Sequence, residues 1–476
     1  MKSSASKKRT LAGLLAASLL LVGAIGLAIL LRREPGPLLQ RIQKTGVLVV
    51  ATRLSPAVYH QGANGPDGFE YALVSEFARH LGVRVRFVFP PTLDALLDAT
   101  AQGTVNMAAA GLTITPAREQ RVRFSIPYEQ VTEQLIYRRG SKRPGSLADV
   151  NDGDLQIIAS SSHEETLLQQ RATEFPQLSW QGRDGIDTAR LLSALDQGEI
   201  RLTVADSNEA ELNRRVFKHA AIAFDLGEPK PIAWAFSRGG DDSLRCAANR
   251  FLRQYDEDGR LRRLRARYFG HAGRLNFVDT RDFWRQVRDR LPALRPHFER
   301  AAKLTGIDWR VLAAIGYQES HWRADAVSPT GVRGVMMLTQ STADQMKIAD
   351  RDDPEQSIVG GAQYLRVVGR KIPERIKDHN RLWLTLAGYN IGFGHLEDAR
   401  ILTQRQGGNP DLWLDVKQRL PLLEDKKHHE TLRHGFARGQ EAVDYVGNIR
   451  NYFDLLVWYT TTGDYETRKR ITSAVE

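Results

Sequence analysis

At 476 residues, with 42% hydrophobic and 26% charged content, the chain is neither a disordered nor a fibrous polymer and is long enough for two or three globular domains. Its 67 basic against 56 acidic residues give a net charge of +11, which suits an anionic partner such as a membrane surface or a polyanionic wall. The basic residues are scattered, with no basic recognition helix and no Cys/His finger spacing, so no nucleic-acid partner is expected; the single cysteine, Cys246, excludes an intramolecular disulfide and a cysteine-based zinc cluster and reads as a buried structural thiol.

Lys2, Lys7, Lys8 and Arg9 precede an uncharged apolar run from Leu11 to Leu31, which Arg32 and Arg33 close. Roughly 20 apolar residues span a bilayer, whereas a signal-peptide core needs only about 7 to 15. The run therefore favours an uncleaved anchor, although small residues from Gly23 to Ala28 leave cleavage open. Residues 1–35 are read as a signal or membrane-anchor segment, with no cysteine nearby for a lipoprotein anchor.

Residues 36–269 alternate short β-branched runs with amphipathic ones, which predicts an α/β domain. Strands are expected at Val47 to Ala51, Val83 to Val88, Val105 to Ala110, Gln156 to Ser160 and Leu202 to Asp206. Helices are expected around Leu73, Phe77 and Leu81, over Leu93 to Ala101, and over Ala189 to Gln197. Such alternation predicts parallel sheets whose ligands lie beyond the strand C-termini. After the third strand, Thr115 can cap a helix that Pro116 starts and Arg118 continues, and an Arg beside free helix N–H groups can grip a carboxylate or simply be solvated.

The strings Leu112-Thr-Ile-Thr-Pro-Ala-Arg-Glu119, Phe124-Ser-Ile-Pro-Tyr128 and Val204-Ala-Asp206 resemble the periplasmic solute-binding proteins for amino acids, a bilobed α/β family. The resemblance implies a small-ligand site in which Arg118 binds an α-carboxylate, Thr113 helps to hold it and Asp206 receives the α-amino group. It does not identify the ligand, for which an amino acid or a muropeptide is the expectation, and it leaves open a lobe retained as scaffold or sensor.

Beyond about residue 270 strand-like runs cease, and residues 270–476 are expected to form an all-α domain. Helical spacing covers Leu291 to Leu304, Trp309 to Ser320, Gln340 to Met346, Ile358 to Val368, Leu382 to Tyr389 and Ala442 to Tyr459. Glu319 falls on the apolar face of its run, behind Leu312, Ile315 and Gly316, near the helix C-terminus. Poor solvation and the macrodipole would both raise its pKa, which makes it a candidate general acid; snorkelling to water or pairing with Arg323 would satisfy the same spacing. Asp325, Asp344, Asp350, Asp352 and Asp353 fall in polar, turn-like contexts, so one convincing carboxylate stands where glycoside hydrolysis normally needs two.

Four motifs in this half resemble the lytic transglycosylase fold related to goose-type lysozyme: Glu319-Ser320, Gly334-Val-Met-Met337, Gly388-Tyr-Asn390 and Tyr445-Val446. The order of segments resembles that of membrane-bound lytic murein transglycosylases carrying a solute-binding domain. By that resemblance Glu319 is the catalytic acid and then base. It would cleave the β-1,4 bond between N-acetylmuramic acid and N-acetylglucosamine and leave 1,6-anhydromuramoyl ends, without metal or cofactor. Ser320, Gly334, Met337, Gln340, Tyr389, Asn390 and Tyr445 are the candidate substrate contacts. Met337 stands where the family commonly has Gln, and Gln340 is the nearest amide. His321, without a partner acid at triad spacing, is expected to be solvated or stacked. The resemblance places the protein at the cell envelope, facing the periplasm, and favours peripheral outer-membrane association over an inner-membrane anchor through residues 11–31.

Overall fold

The computed structural model describes residues 37–472, apart from 63–64, 214–215, 218, 240 and 271–276. The expected apolar segment at 11–31 lies outside the described residues. Among the described ones, no helix is long and apolar enough to cross a membrane.

Two five-stranded sheets form the first half. One contains β1 (Val47–Ala51), β2 (Arg84–Val88), β3 (Met107–Ala108), β4 (Val122–Phe124) and β10 (Ala235–Ser237), in the order β2-β1-β3-β10-β4. The other contains β5 (Glu133–Arg138), β6 (Leu155–Ile158), β7 (Gln181–Arg183), β8 (Leu202–Asp206) and β9 (Ala220–Asp225), in the order β7-β6-β8-β5-β9. Each sheet packs helices over its own apolar core: Phe77, Trp234 and Phe251 centre the first, and Leu135, Ile157 and Leu167 the second. This is the α/β class that the alternating pattern predicts, in the bilobed form that the resemblance implies.

The sheets are mixed rather than parallel. β1 runs parallel to β2 and β3, but β10 is antiparallel to β3 and β4, and β5 is antiparallel to β8 and β9. The cause is the connection between lobes: the chain leaves the first through Glu129–Val131 and returns through Lys230–Ile232, which pair as an antiparallel ribbon, so β10 enters the first sheet reversed. Cys246 also departs from expectation. It is exposed, because the helix Ser243–Glu257 buries Leu244, Ala247, Ala248, Phe251, Leu252 and Tyr255 and turns position 246 outward.

The second half is helical. Its middle is α5 (Trp309–Ser320), in which Val311 through Tyr317 are all buried. Around it lie α4 (Leu291–Thr305), α7 (Pro354–Lys371), α8 (Asp378–Ile391) and α10 (Gly439–Thr472), sharing one core with Phe283, Phe298, Leu365, Leu386 and Val446. A helix buried on nearly all sides must be apolar throughout, as the run Val-Leu-Ala-Ala-Ile-Gly-Tyr is. The helix α9 (Phe393–Arg405) has no counterpart in the sequence reading. Its buried positions include Asp398, Arg400 and Thr403, so polar residues interrupt the apolar stripe that periodicity detects.

The halves touch through α10. Arg450 Nη2 donates to the carbonyl of Arg267 at 2.5 Å, and Trp458 meets Phe217 of the second lobe edge to face, centroids 5.8 Å apart.

Candidate active site and ligand cleft

Asp308 caps α5 by accepting from the backbone N–H of Arg310 at 2.8 Å. The helix ends one residue beyond Glu319, where His321 and Trp322 take positive φ of 52° and 59°. Trp322 folds back to donate its indole N–H to the carbonyl of Ala313 at 2.8 Å, which fixes the stop. His321 stacks on Tyr317, rings 4.8 Å apart.

Glu319 is half-buried at this end. Burial raises its carboxyl to about 7, and a hydrogen bond from Tyr445, 2.6 Å to Oε1, pulls the other way. Its titration thus responds to desolvation and one phenol, with no second carboxylate among the causes. Arg323, the alternative partner at i+4, points Nε at the carbonyl of Ser320, 3.4 Å away. Burial and the neighbouring Glu319 hold the Tyr389 and Tyr445 phenols well above their ordinary range, so both remain protonated donors.

The segment from Ala326 to Leu338 is sewn against this helix end. Ser320 Oγ, itself buried, bonds the carbonyls of Gly316 (3.1 Å) and Val335 (2.9 Å). The Tyr389 hydroxyl donates to the carbonyl of Met336 at 3.3 Å. Gly334 has φ of 83°, and a Cβ there would lie 1.9 Å from the carbonyl oxygen of Arg351, so only glycine fits. Met336 is fully buried, whereas Met337 is half-buried with φ of 46°. Gln340, on the first turn of α6 (Gln340–Met346), is exposed and gives its amide to Asp344 at 2.8 Å. Asn390, at the end of α8, is exposed.

Glu319, Tyr389 and Tyr445 are thereby brought together from three helices. Ser320 and Gly334 shape the loop from within rather than facing solvent, and Gln340 is exposed, its amide engaged by Asp344. Of the other acids, Asp352 meets Arg333 at 3.2 Å and Asp353 caps α7.

The first half holds a cleft of about 180 Å³ between its lobes, lined by Arg118, Asp206, Arg53, His163 and Glu209 among others. Thr115 caps α1 (Pro116–Arg121) by accepting from Arg118 N–H, as the sequence predicts. Arg118 is buried, bonds the carbonyls of Thr113 (3.1 Å) and Ser160 (3.3 Å), and faces Glu165 at 3.6 Å, its Nε lacking a hydrogen-bond partner. Thr113 is buried behind this guanidinium, its hydroxyl 3.4 Å from that of Ser162, at the start of α2 (Ser162–Thr173).

Asp206 and His163 pair at 3.1 Å. Burial opposes charge on His163, yet the attraction and hydrogen bond of Asp206 raise its pKa above the ordinary value; burial opposes charge on Asp206 too, but His163, Arg53 and Arg118 hold it below the usual range. Sequence reasoning missed His163, Arg53 and Glu209. Arg53 crosses between lobes to Glu209 at 2.8 Å, and Ser55 joins them at 2.6 Å. The available signal was Glu209 three residues after Asp206, on the helix α3 (Ser207–Asn213) that follows β8.

Glu133, His163 and Asp206 form the one trio, among the described residues, whose ligand atoms lie close enough to hold a metal. Lys230 Nζ already sits 2.9 Å from Glu133, so an ammonium group stands beside that carboxylate.

Residues 47–271 match the model of bacterial extracellular solute-binding proteins, family 3, and residues 296–411 the transglycosylase SLT domain. Membrane-bound lytic murein transglycosylase F of Pseudomonas fluorescens is 44% identical over 424 residues, 89% of this chain and 87% of that protein. The protein of the same name from Saccharophagus degradans is 42% identical over 438 residues, 92% and 87%. That from Pseudomonas syringae pv. syringae is 45% identical over 423 residues, 89% and 85%. With such identity along nearly its whole length, the chain belongs to the membrane-bound lytic murein transglycosylase F family.

Proposed function

We propose that this protein is a peptidoglycan lytic transglycosylase that cleaves the β-1,4 bond between N-acetylmuramic acid and N-acetylglucosamine, with Glu319 as its single acid and base. The observation that carries the reading is the Glu319 carboxyl at the end of α5, which burial raises to about 7 and the Tyr445 hydroxyl holds on Oε1 at 2.6 Å, with no second carboxylate among the causes of the shift. With Tyr445 on Oε1, Oε2 carries the proton to the glycosidic oxygen as the bond to the muramoyl C1 breaks. The resulting carboxylate then takes the proton of the muramoyl C6 hydroxyl as that oxygen bonds C1, leaving a 1,6-anhydro end and consuming no water. Such an intramolecular attack benefits from effective molarities of about 10⁵ M or more.

Tyr389 and Asn390 line the sugar site with Tyr445, and Met337 offers it an apolar contact in place of an amide. Ser320 and Gly334 act by holding the loop. The catalytic half begins near residue 270 and the solute-binding half near 36. The interlobe cleft takes a small amino-acid or muropeptide ligand on Arg118 and Asp206, with Thr113 behind them. The protein is membrane-associated in the cell envelope, peripheral to the outer membrane if the segment 1–35 is cleaved; N-terminal sequencing of the mature protein decides between this and an inner-membrane anchor.

Mass spectrometry of digested peptidoglycan tests the reaction. Anhydro ends, lighter by one water than hydrolysed reducing ends, are the expected product; reducing ends would instead mark a lysozyme-like hydrolase, and no cleavage at all a sensor with an inactive helical half.

A further inference from the structure

Several chain segments converge on the Glu319 end of the helical half: the C-termini of α5 and α8, the N-terminus of α9, and the first turns of α10. The turn from Thr431 to Arg438 joins them. Its His434 ring lies so close to Gly394 that a Cβ there would come within 2.7 Å of it, and Gly394 opens α9 just after Tyr389 and Asn390. His434 N–H donates to Asp398 at 2.7 Å, and Ala437 N–H to the carbonyl of Leu423 at 3.4 Å, so the turn is fastened to the bundle. Three residues after Phe436, α10 begins, and a rise of about 9 Å along it reaches Tyr445.

On this fastened turn Phe436 is 56% exposed, although Phe283 and Phe298 of the same half are wholly buried. Its ring is held edge-on by His429, centroids 5.8 Å apart at 87°. Arg433, His434 and Arg438 are exposed beside it.

We propose that Phe436 is a sugar-stacking platform of the glycan groove, gripping a ring of the peptidoglycan strand away from the bond that is cut. The inference rests on the transglycosylase reading above. An aromatic face suits the apolar C–H face of a sugar, and the guanidinium groups of Arg433 and of Arg438, the latter 3.2 Å from Glu441, suit the free carboxylates of stem peptides. An exposed ring also fits a polymer that must slide across the site. A glycan strand is the occupant favoured over a protein, because the turn is continuous with the elements that carry Tyr389, Asn390 and Tyr445.

The test uses the full chain and soluble glycan strands. Phe436→Ala is expected to raise KM about three- to tenfold, with Phe436→Trp restoring it. An unchanged KM in an active Phe436→Ala protein overturns the platform and leaves the transglycosylase reading standing, as does a loss confined to kcat. No anhydro product from the unmodified chain would overturn that reading and the platform with it. Because the ring is exposed, the melting temperature should not move; if it falls, KM of the Trp variant, expected at the level of the unmodified chain, decides.

Discussion

Tyr445 donates its hydroxyl to Glu319 Oε1 at 2.6 Å across 126 residues of sequence. The bond does two things. It orients the carboxyl, and by stabilising the charged form it restrains the rise that burial imposes on the Glu319 pKa.

The pH dependence follows. The acid form of Glu319 is half-populated at about 7 and falls toward tenfold per unit above it, so kcat/KM should decline on the alkaline side of about 7. Tyr445→Phe removes the interaction that lowers this pKa. The alkaline limb should therefore move to higher pH, even as the rate falls from lost orientation. A limb that stays in place, measured on soluble glycan strands, would show that the phenol does not govern the carboxyl.

Glu319→Gln should cut anhydromuropeptide release by about 10²- to 10⁴-fold, the usual scale of a general acid, with the fold intact. Stability gives a second readout. A carboxyl raised from 4.5 to about 7 binds its proton more tightly folded than unfolded, so the folded protein loses stability as pH rises through that window. The amide variant should lack that loss, and urea denaturation at pH 4.5 and pH 8 compares the two.

Gly334→Ala should destabilise the helical half by about 2 to 4 kcal/mol, combining a positive φ with a clash against the carbonyl of Arg351. Activity should fall with it, since the loop that Ser320 and Tyr389 grip would be pushed off the end of α5. Chemical denaturation and turnover measured together would test this, and a stable but inactive variant would instead indicate direct contact with sugar.

Arg118→Ala should abolish any thermal shift that L-amino acids or a muropeptide fraction produce, because it removes the buried guanidinium of the interlobe cleft. A ligand at one hundred times its dissociation constant stabilises by about 2.7 kcal/mol, which differential scanning fluorimetry resolves. A shift retained in the variant would move the ligand site away from Arg118.

Much of the architecture is local chemistry and could be read directly. Val47–Ala51, Leu93–Ala101, Leu202–Asp206 and Trp309–Ser320 form where the periodicity predicts, because each buries a continuous apolar face. The Thr115 cap and the end of α5 beside Glu319 were equally legible. The reversed β10, the exposed Cys246 and the polar-cored α9 were not, since each depends on which surface a neighbour covers.

The sequence alone determined two halves of different class, four ordered motifs and one carboxylate on an apolar helix face. Only the tertiary structure decided what that carboxylate meets. Periodicity places a side chain on its own helix but is blind to long-range partners, so Tyr445 on Glu319, Arg53 on Glu209 and His163 on Asp206 emerge only when distant segments pack. Those contacts set the desolvation and the neighbouring charges, and these in turn govern how the groups titrate.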